Sequence, residues 1–307
     1  MRDITYYTPN DIPSEVLAYN ETVKQLGIGK SGKVGLLKIV LIKSSDKTLI
    51  KEQISEAPLH LQKALHYEED FPEIAYLYIA SSSGGILQGD RHRIDIMMKE
   101  KSTAHITTQG ATRIYSMNSN SATQIVNLTV EKGAYLEFIP DQIIPYKNSR
   151  FYQKMNLNLH DDATLVYSEV ITPGRVAMGE SFEYDVCYLK TLAKNQHDRL
   201  LFSDVAKLEP RKQKATMFGI LGNHSVVGTV YILTKKSLVL KLEEKINMEL
   251  NSNGEISFGT TILPNDSGIM VRILGDKTDD IKNSIFVITK ITRKTTINAP
   301  FSTVRKT

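Results

Sequence analysis

The side chains best placed for chemistry in this sequence sit in three glycine-bearing loops. Ser81-Ser82-Ser83-Gly84-Gly85-Ile86-Leu87-Gln88-Gly89-Asp90 ends on a carboxylate. Thr107-Thr108-Gln109-Gly110-Ala111-Thr112-Arg113-Ile114-Tyr115 offers hydroxyls and an amide. Pro173-Gly174-Arg175-Val176-Ala177-Met178-Gly179-Glu180 holds a guanidinium and a second carboxylate. The same loops are also good turns, because glycine supplies positive φ and Asp or Thr closes a turn with its side chain. The glycines read as turn residues. For Asp90, Arg175 and Glu180 the residues alone leave turn capping or surface pairing and a functional role equally open.

Other chemistries find less in the sequence. Gly27-Ile28-Gly29-Lys30-Ser31-Gly32-Lys33-Val34 approaches a phosphate-binding loop, but Val34 stands where a magnesium-binding hydroxyl belongs. The β-branched run after it predicts a strand rather than the helix whose amides would cradle phosphate. The seven histidines include no His-x-His or His-x-x-x-His pair, and Cys187 is the only cysteine. A tight transition-metal site and a disulfide framework are therefore not expected. There is no Gly-x-Ser-x-Gly elbow to anchor a nucleophile. Cys187 lies in an alternating strand-like run and reads as a small core residue.

The elements that must position these loops are mostly strands. Thirteen short runs rich in Val, Ile, Thr and Tyr are predicted at Val34–Lys43, Leu49–Ser55, Ile74–Ala80, Arg91–Met98, Thr103–Thr108, Ala122–Val130, Ala134–Ile139, Arg150–Leu159, Ala163–Ile171, Phe182–Leu192, Ser225–Leu233, Ile256–Ile262 and Ile269–Leu274. With few helices between them, the expected fold is mainly β: many-stranded, largely antiparallel stacked sheets. About two helices are expected near the C-terminal third, at Ser237–Leu250 and Asp276–Lys294, the second capped by Asp276. The chain reads as one domain over residues 1–307, with an irregular lead-in at 1–26 and a basic tail at 295–307.

Composition is that of an ordinary globular chain, with 38 Lys and Arg against 34 Asp and Glu. That mild excess and the lack of aromatic–basic interleaving predict no nucleic-acid partner. No apolar run is long enough for a membrane helix and no signal-peptide pattern opens the chain, so a cytoplasmic protein is expected.

Taken together, the loops resemble the urease accessory protein family UreD, also called UreH. The family's Gly-Gly-x-x-x-Gly-Asp turn is matched by Gly84, Gly85, Gly89 and Asp90, and its Thr-Thr-x-x-Ala/Ser-x-x-x-Tyr element by Thr107 to Tyr115. Gly133-Ala134-Tyr135-Leu136-Glu137-Phe138-Ile139-Pro140 matches Gly-Ala-x-Leu-Glu-x-x-Pro. Gly174-Arg175-Val176-Ala177-Met178-Gly179-Glu180-Ser181-Phe182 matches Gly-Arg-x-Ala-x-Gly-Glu-x-Phe, and Val226-Val227-Gly228-Thr229 matches a late Val-x-Gly-Thr strand. The order is collinear from about Gly32 to Ile291. Gln88 and Gly110 depart from the usual Gly and Ala, and the stretch before Gly27 has no counterpart.

The resemblance implies a non-enzymatic scaffold. It would bind apo-urease and UreF, reach the GTPase UreG through UreF, and assist GTP-dependent nickel insertion into urease. Nickel would be a transferred ion rather than a tightly bound cofactor, with Asp90, Glu180, Thr108 and Gln109 as transient path residues. Gly84, Gly85, Gly89, Tyr115, Glu137, Gly174, Arg175 and Gly179 become the motif and interaction candidates. A β-sandwich hydrolase or transferase of unknown substrate is the alternative.

Overall fold

The computed structural model describes residues 3–19, 32–68, 71–217, 219–250 and 255–301. A one-turn helix α1 (Ser14–Leu17) precedes β1 (Val34–Ser44), β2 (Lys47–Glu56), β3 (Leu59–Leu61) and β4 (Ile74–Ser81). Next come β5 (Arg91–Met98), β6 (Thr103–Thr108), β7 (Thr112–Ile114), β8 (Ala122–Val130), β9 (Tyr135–Phe138), β10 (Ile143–Pro145), β11 (Arg150–Leu159), β12 (Thr164–Ile171) and β13 (Val186–Asn195). The chain closes with β14 (Leu200–Leu208), β15 (Val226–Leu233), α2 (Lys236–Glu249), β16 (Ile256–Ile262), β17 (Gly268–Gly275) and α3 (Thr278–Ile297).

Two sheets stack on one another. Sheet I has the order β14-β13-β11-β8-β5-β1-β2, and sheet II runs β16-β17-β15-β12-β9-β6-β4-β3 with β7 and β10 attached beside β12. The expectation of largely antiparallel sheets is corrected here, because the sheets are mixed. The neighbours β13-β11-β8-β5-β1 all run parallel in sheet I, as do β12-β9-β6-β4 in sheet II. Between the described strands, antiparallel pairing is confined to β1–β2, β3–β4, β13–β14 and the β12-β15-β17-β16 end.

The physical reason lies in the connections. From β4 to β13 the principal strands alternate between sheets, so each return to a sheet comes after a crossing of the other one. A returning strand then runs parallel to its predecessor, and the turns stack as in a solenoid. Parallel neighbours need a long crossover. Here the crossover contains a strand of the facing sheet instead of a helix, which is why a helix-poor sequence looks antiparallel.

Period-two alternation sends one face of each strand into a common core. Ile94, Val126, Met155 and Leu157 of sheet I meet Leu77, Ile106, Leu136 and Leu165 of sheet II there. The outer face of sheet II is covered by the two long helices, whose Val239, Leu242, Ile246, Ile281, Ile285 and Ile288 pack on Val166, Val230 and Val271. Asp276 does not cap α3. Its carboxylate accepts from Ser225 Oγ at 3.1 Å, and α3 has no side-chain cap.

The strands differ from those expected in several places, the three-residue β3, β7 and β10 having no counterpart among the expected runs. β14 has no counterpart among the expected strands, because its exposed edge face blurs the apolar pattern. The strand expected from Phe182 starts at Val186: Phe182 takes φ 55° and its N–H donates to Pro173 O at 2.7 Å, folding the segment back as a loop. Of the phosphate-loop look-alike, residues 27–31 lie outside the described residues. Lys33 leads directly into strand β1, as expected.

Candidate functional site

The motif loops converge at one end of the sandwich because strands of sheet II deliver them there before the chain crosses to sheet I. The loop after β4 pairs with β7: Ile86 N–H donates to Arg113 O at 2.8 Å and Tyr115 N–H donates to Ile86 O at 2.9 Å. Gly84 and Gly85 lie against Tyr115. A Cβ on Gly85 would come within 2.5 Å of both the Tyr115 ring and the Arg113 carbonyl oxygen, so close approach is what requires glycine there. Tyr115 packs on Tyr146, ring centroids 4.9 Å apart, and the Arg175 guanidinium lies 4.2 Å from the centroid of Tyr146. Arg175 closes the set through its pair with Glu180, donating from Nε to Oε2 at 2.9 Å and from Nη2 to Oε1. That bond holds the Glu180 carboxyl below its usual range. Glu180 also accepts from Lys147 N–H at 3.2 Å.

Asp90 has a different setting. It is fully buried, Oδ1 accepting from Lys33 N–H at 2.8 Å and Oδ2 from Leu87 N–H at 2.9 Å. It ties its own loop to the start of β1. Gly89, at φ 75°, makes the turn that brings it in.

Between the sheets, beneath these loops, lies a cavity of about 380 Å³. Gly84, Gly85, Thr108, Gln109 and Gly110 line its loop end, with Gln109 and Gly110 exposed. Thr108 Oγ1 accepts from Asp141 N–H at 2.8 Å, fixing one wall. Deeper, a polar row crosses the apolar face of sheet I, where His92, Gln124 and Gln153 occupy register positions on β5, β8 and β11. Gln124 Nε2 donates to Gln153 Oε1 at 2.9 Å, Gln153 Nε2 to Tyr167 Oη at 3.3 Å, and Tyr167 O–H to Glu169 Oε2 at 2.8 Å. Burial pushes the Glu169 carboxyl up to about 7, against the lowering effect of Tyr167. Burial keeps His92 more acidic than an ordinary imidazole, only partly opposed by Asp90 3.9 Å away. His92 Nε2 has no hydrogen-bond partner among the described residues.

Of the sequence candidates, Gly84, Gly85, Thr108 and Gln109 therefore line the cavity, and Tyr115, Gly174, Arg175, Gly179 and Glu180 build the rim beside it. Asp90 and Gly89 lie behind it as loop anchors. Glu137 is elsewhere, on the helix-covered face of sheet II. Arg293 of α3 grips it in two bonds, 2.8 and 2.5 Å, while His105 Nδ1 at 2.6 Å and Tyr135 O–H at 2.7 Å complete the cluster. Burial alone would raise the Glu137 carboxyl, but Arg293 and then His105 outweigh it and hold it at about 2.

Sequence reasoning missed His92, Gln124, Gln153, Tyr167 and Glu169. A signal was present: each precedes or interrupts an apolar alternation on its strand, as Gln124 does before Val126, Leu128 and Val130. Among the described residues no group of three or more His, Cys, Asp or Glu could hold a metal ion, and no helix is long and apolar enough to cross a membrane. The geometry offers a cavity of mixed apolar and polar lining, with a loop-built mouth and a row of oxygen donors along one wall.

Comparison with known proteins identifies the family. The family described as UreD urease accessory protein matches residues 33–306. The chain is 43% identical to urease accessory protein UreD of Cenarchaeum symbiosum over 282 residues, which is 92% of this chain and 99% of that one. It is 36% identical to UreD of Yersinia enterocolitica, covering 91% of this chain and 88% of that one. UreD 2 of Brucella suis shows the same identity, covering 91% and 93%. These relatives are named as urease accessory proteins, in keeping with the expected non-enzymatic role and not with the hydrolase or transferase alternative. The chain belongs to the UreD family of urease accessory proteins.

Proposed function

We propose that this chain is the scaffold on which apo-urease receives nickel. In this reading it binds apo-urease and UreF, with UreG engaged through UreF, and GTP hydrolysis by UreG drives the transfer. The cavity offers the ion a route. The observation that carries this is the cavity beneath the motif loops, with Thr108 and Gln109 at its mouth and the Gln124–Gln153–Tyr167–Glu169 chain along its wall.

The donor set suits passage rather than storage. Hydroxyl, amide and carboxyl oxygens exchange a hydrated divalent cation, and no thiolate or imidazole cluster is present among the described residues to trap it. Arg175 and Glu180 serve this reading as rim builders, holding the loop that flanks the mouth. A reducing cytoplasm is the compartment the reading assumes.

The experiment is co-expression with the urease subunits, UreF and UreG, followed by pull-down and metal analysis. Supporting results are co-purification with apo-urease and UreF and nickel-loaded urease. Urease that loads nickel equally well without this chain would refute the reading.

A further inference from the structure

The outer face of sheet I carries a second feature, independent of the cavity. The lead-in, expected to be irregular, crosses that face transverse to the strands from the β2 edge to the β14 edge. Tyr7 O–H donates to Glu56 of β2 at 2.5 Å, and Arg93 of β5 donates to Tyr6 O at 2.9 Å with its guanidinium 4.1 Å from the Tyr6 ring. The Asp11 carboxylate bridges Lys154 of β11 and Lys190 of β13, 2.8 Å to each, and accepts from Tyr152 O–H at 3.3 Å. Glu15 pairs with Lys207 of β14 at 2.8 Å. Between the two acids and beyond them, Ile12, Val16 and Tyr19 fill a groove of Tyr152, Val186 and Tyr188, and Arg150 stacks on Tyr19 at 4.2 Å.

We propose that this groove is a docking site for an acidic amphipathic peptide segment of a partner protein, and that residues 11–19 occupy it in its absence. The seated segment defines the recognition chemistry: acids at 11 and 15, apolar anchors at 12, 16 and 19. The groove lies in the part of the chain matched by the family, residues 33–306, whereas its occupant lies outside that match.

The hold on the segment is exchangeable. α1 is a single turn, too short to be stable by itself. Its ion pairs are partly exposed, and such pairs are weak and screened by salt. The empty groove is unfavourable, because Lys154 and Lys190 are register neighbours whose charges would face each other without Asp11. Exchange for another acidic segment satisfies both constraints.

The probe is a fluorescein-labelled peptide of residues 3–19, used with the full chain. Asp11→Lys/Glu15→Lys repels the resident segment from its lysines. That variant should bind the peptide at least tenfold more tightly than the wild type, less so as salt rises. Adding Lys154→Gln/Lys190→Gln, which removes the attraction for an acid without drawing the substituted segment back, should cut the gain at least tenfold. A second peptide keeping only the acid and apolar spacing should compete. If the lysine-bearing variant unfolds, Asp11→Asn/Glu15→Gln repeats the test. Hydrogen exchange on the unmodified chain gives a separate reading, with amides of 14–19 exchanging far faster than those of β11 and β13. No gain by a variant that melts like the wild type, binding indifferent to Lys154 and Lys190, or equal protection of strap and sheet would each overturn the proposal.

Discussion

Gly85 and Tyr115 occupy the same space: a methyl group at position 85 would sit 2.5 Å from the Tyr115 ring. Through Tyr115 the contact reaches Tyr146, and through Tyr146 it reaches Arg175 and Glu180. Two motifs nearly a hundred residues apart in the sequence are thus one packed unit beside the cavity mouth. Gly85→Ala should destabilise the fold by about 1–3 kcal/mol through overpacking, since the Arg113 carbonyl blocks one direction of relief. Denaturant melts measure it, and Gly110→Ala, with nothing near its Cβ, is the silent control.

Asp90 and Glu180 look alike in the sequence, each ending a glycine-bearing loop, but the structure separates them. Asp90→Ala removes a buried carboxylate that accepts two backbone N–H bonds, and hydrogen bonds to a charged group contribute about 1.5–3 kcal/mol each. It should melt well below wild type. Glu180 is partly exposed and paired with a partly exposed Arg175, so Glu180→Ala should melt within a few degrees of wild type. Thermal melts of the two variants side by side decide this.

The buried pair of Arg293 and Glu137 fastens α3 to sheet II. Removing one partner strands a charge in the core, so Arg293→Ala should cost about 3–5 kcal/mol. Arg293→Met with Glu137→Gln should recover much of that. The Glu137 carboxyl is held at about 2 against an ordinary 4.5. Its contribution is therefore present above about 4.5 and lost as pH falls toward 2. Denaturant melts across acid pH follow that loss in wild type, and in the double variant it should be absent.

Glu169 has the opposite sign. Its folded carboxyl is raised from 4.5 to about 7, so the folded chain binds the proton more strongly than the unfolded one. This contribution is fully present below about 4.5, fades as pH rises to about 7, and is gone above it. The whole span corresponds to about 3 kcal/mol. Glu169→Gln should flatten that slope and leave the variant more stable than wild type at pH 8, read from denaturant melts at several pH values.

Much of the architecture was legible from the residues. Strand positions followed from alternation, and Gly84 to Asp90, Thr107 to Tyr115 and Gly174 to Phe182 pointed to one family. Strand direction was not legible, because alternation reports which face is buried and not which way the neighbour runs. The inner polar row was obscured for a related reason: Gln124 and Gln153 lie 29 residues apart in sequence and become neighbours only through the parallel register. Glu137 misled because its motif membership carries no sign of which face of sheet II it takes.

The most direct measurement is the nickel content of urease co-expressed with UreF, UreG and either the wild-type chain or Gly110→Trp. Gly110 lines the mouth, has open space where its side chain would begin and has no positive φ, so a side chain can start there and tryptophan should narrow the opening. The account predicts that the variant melts like wild type and still pulls down apo-urease and UreF, while the urease recovered contains several-fold less nickel. Full nickel loading with the mouth narrowed would contradict the cavity as the route.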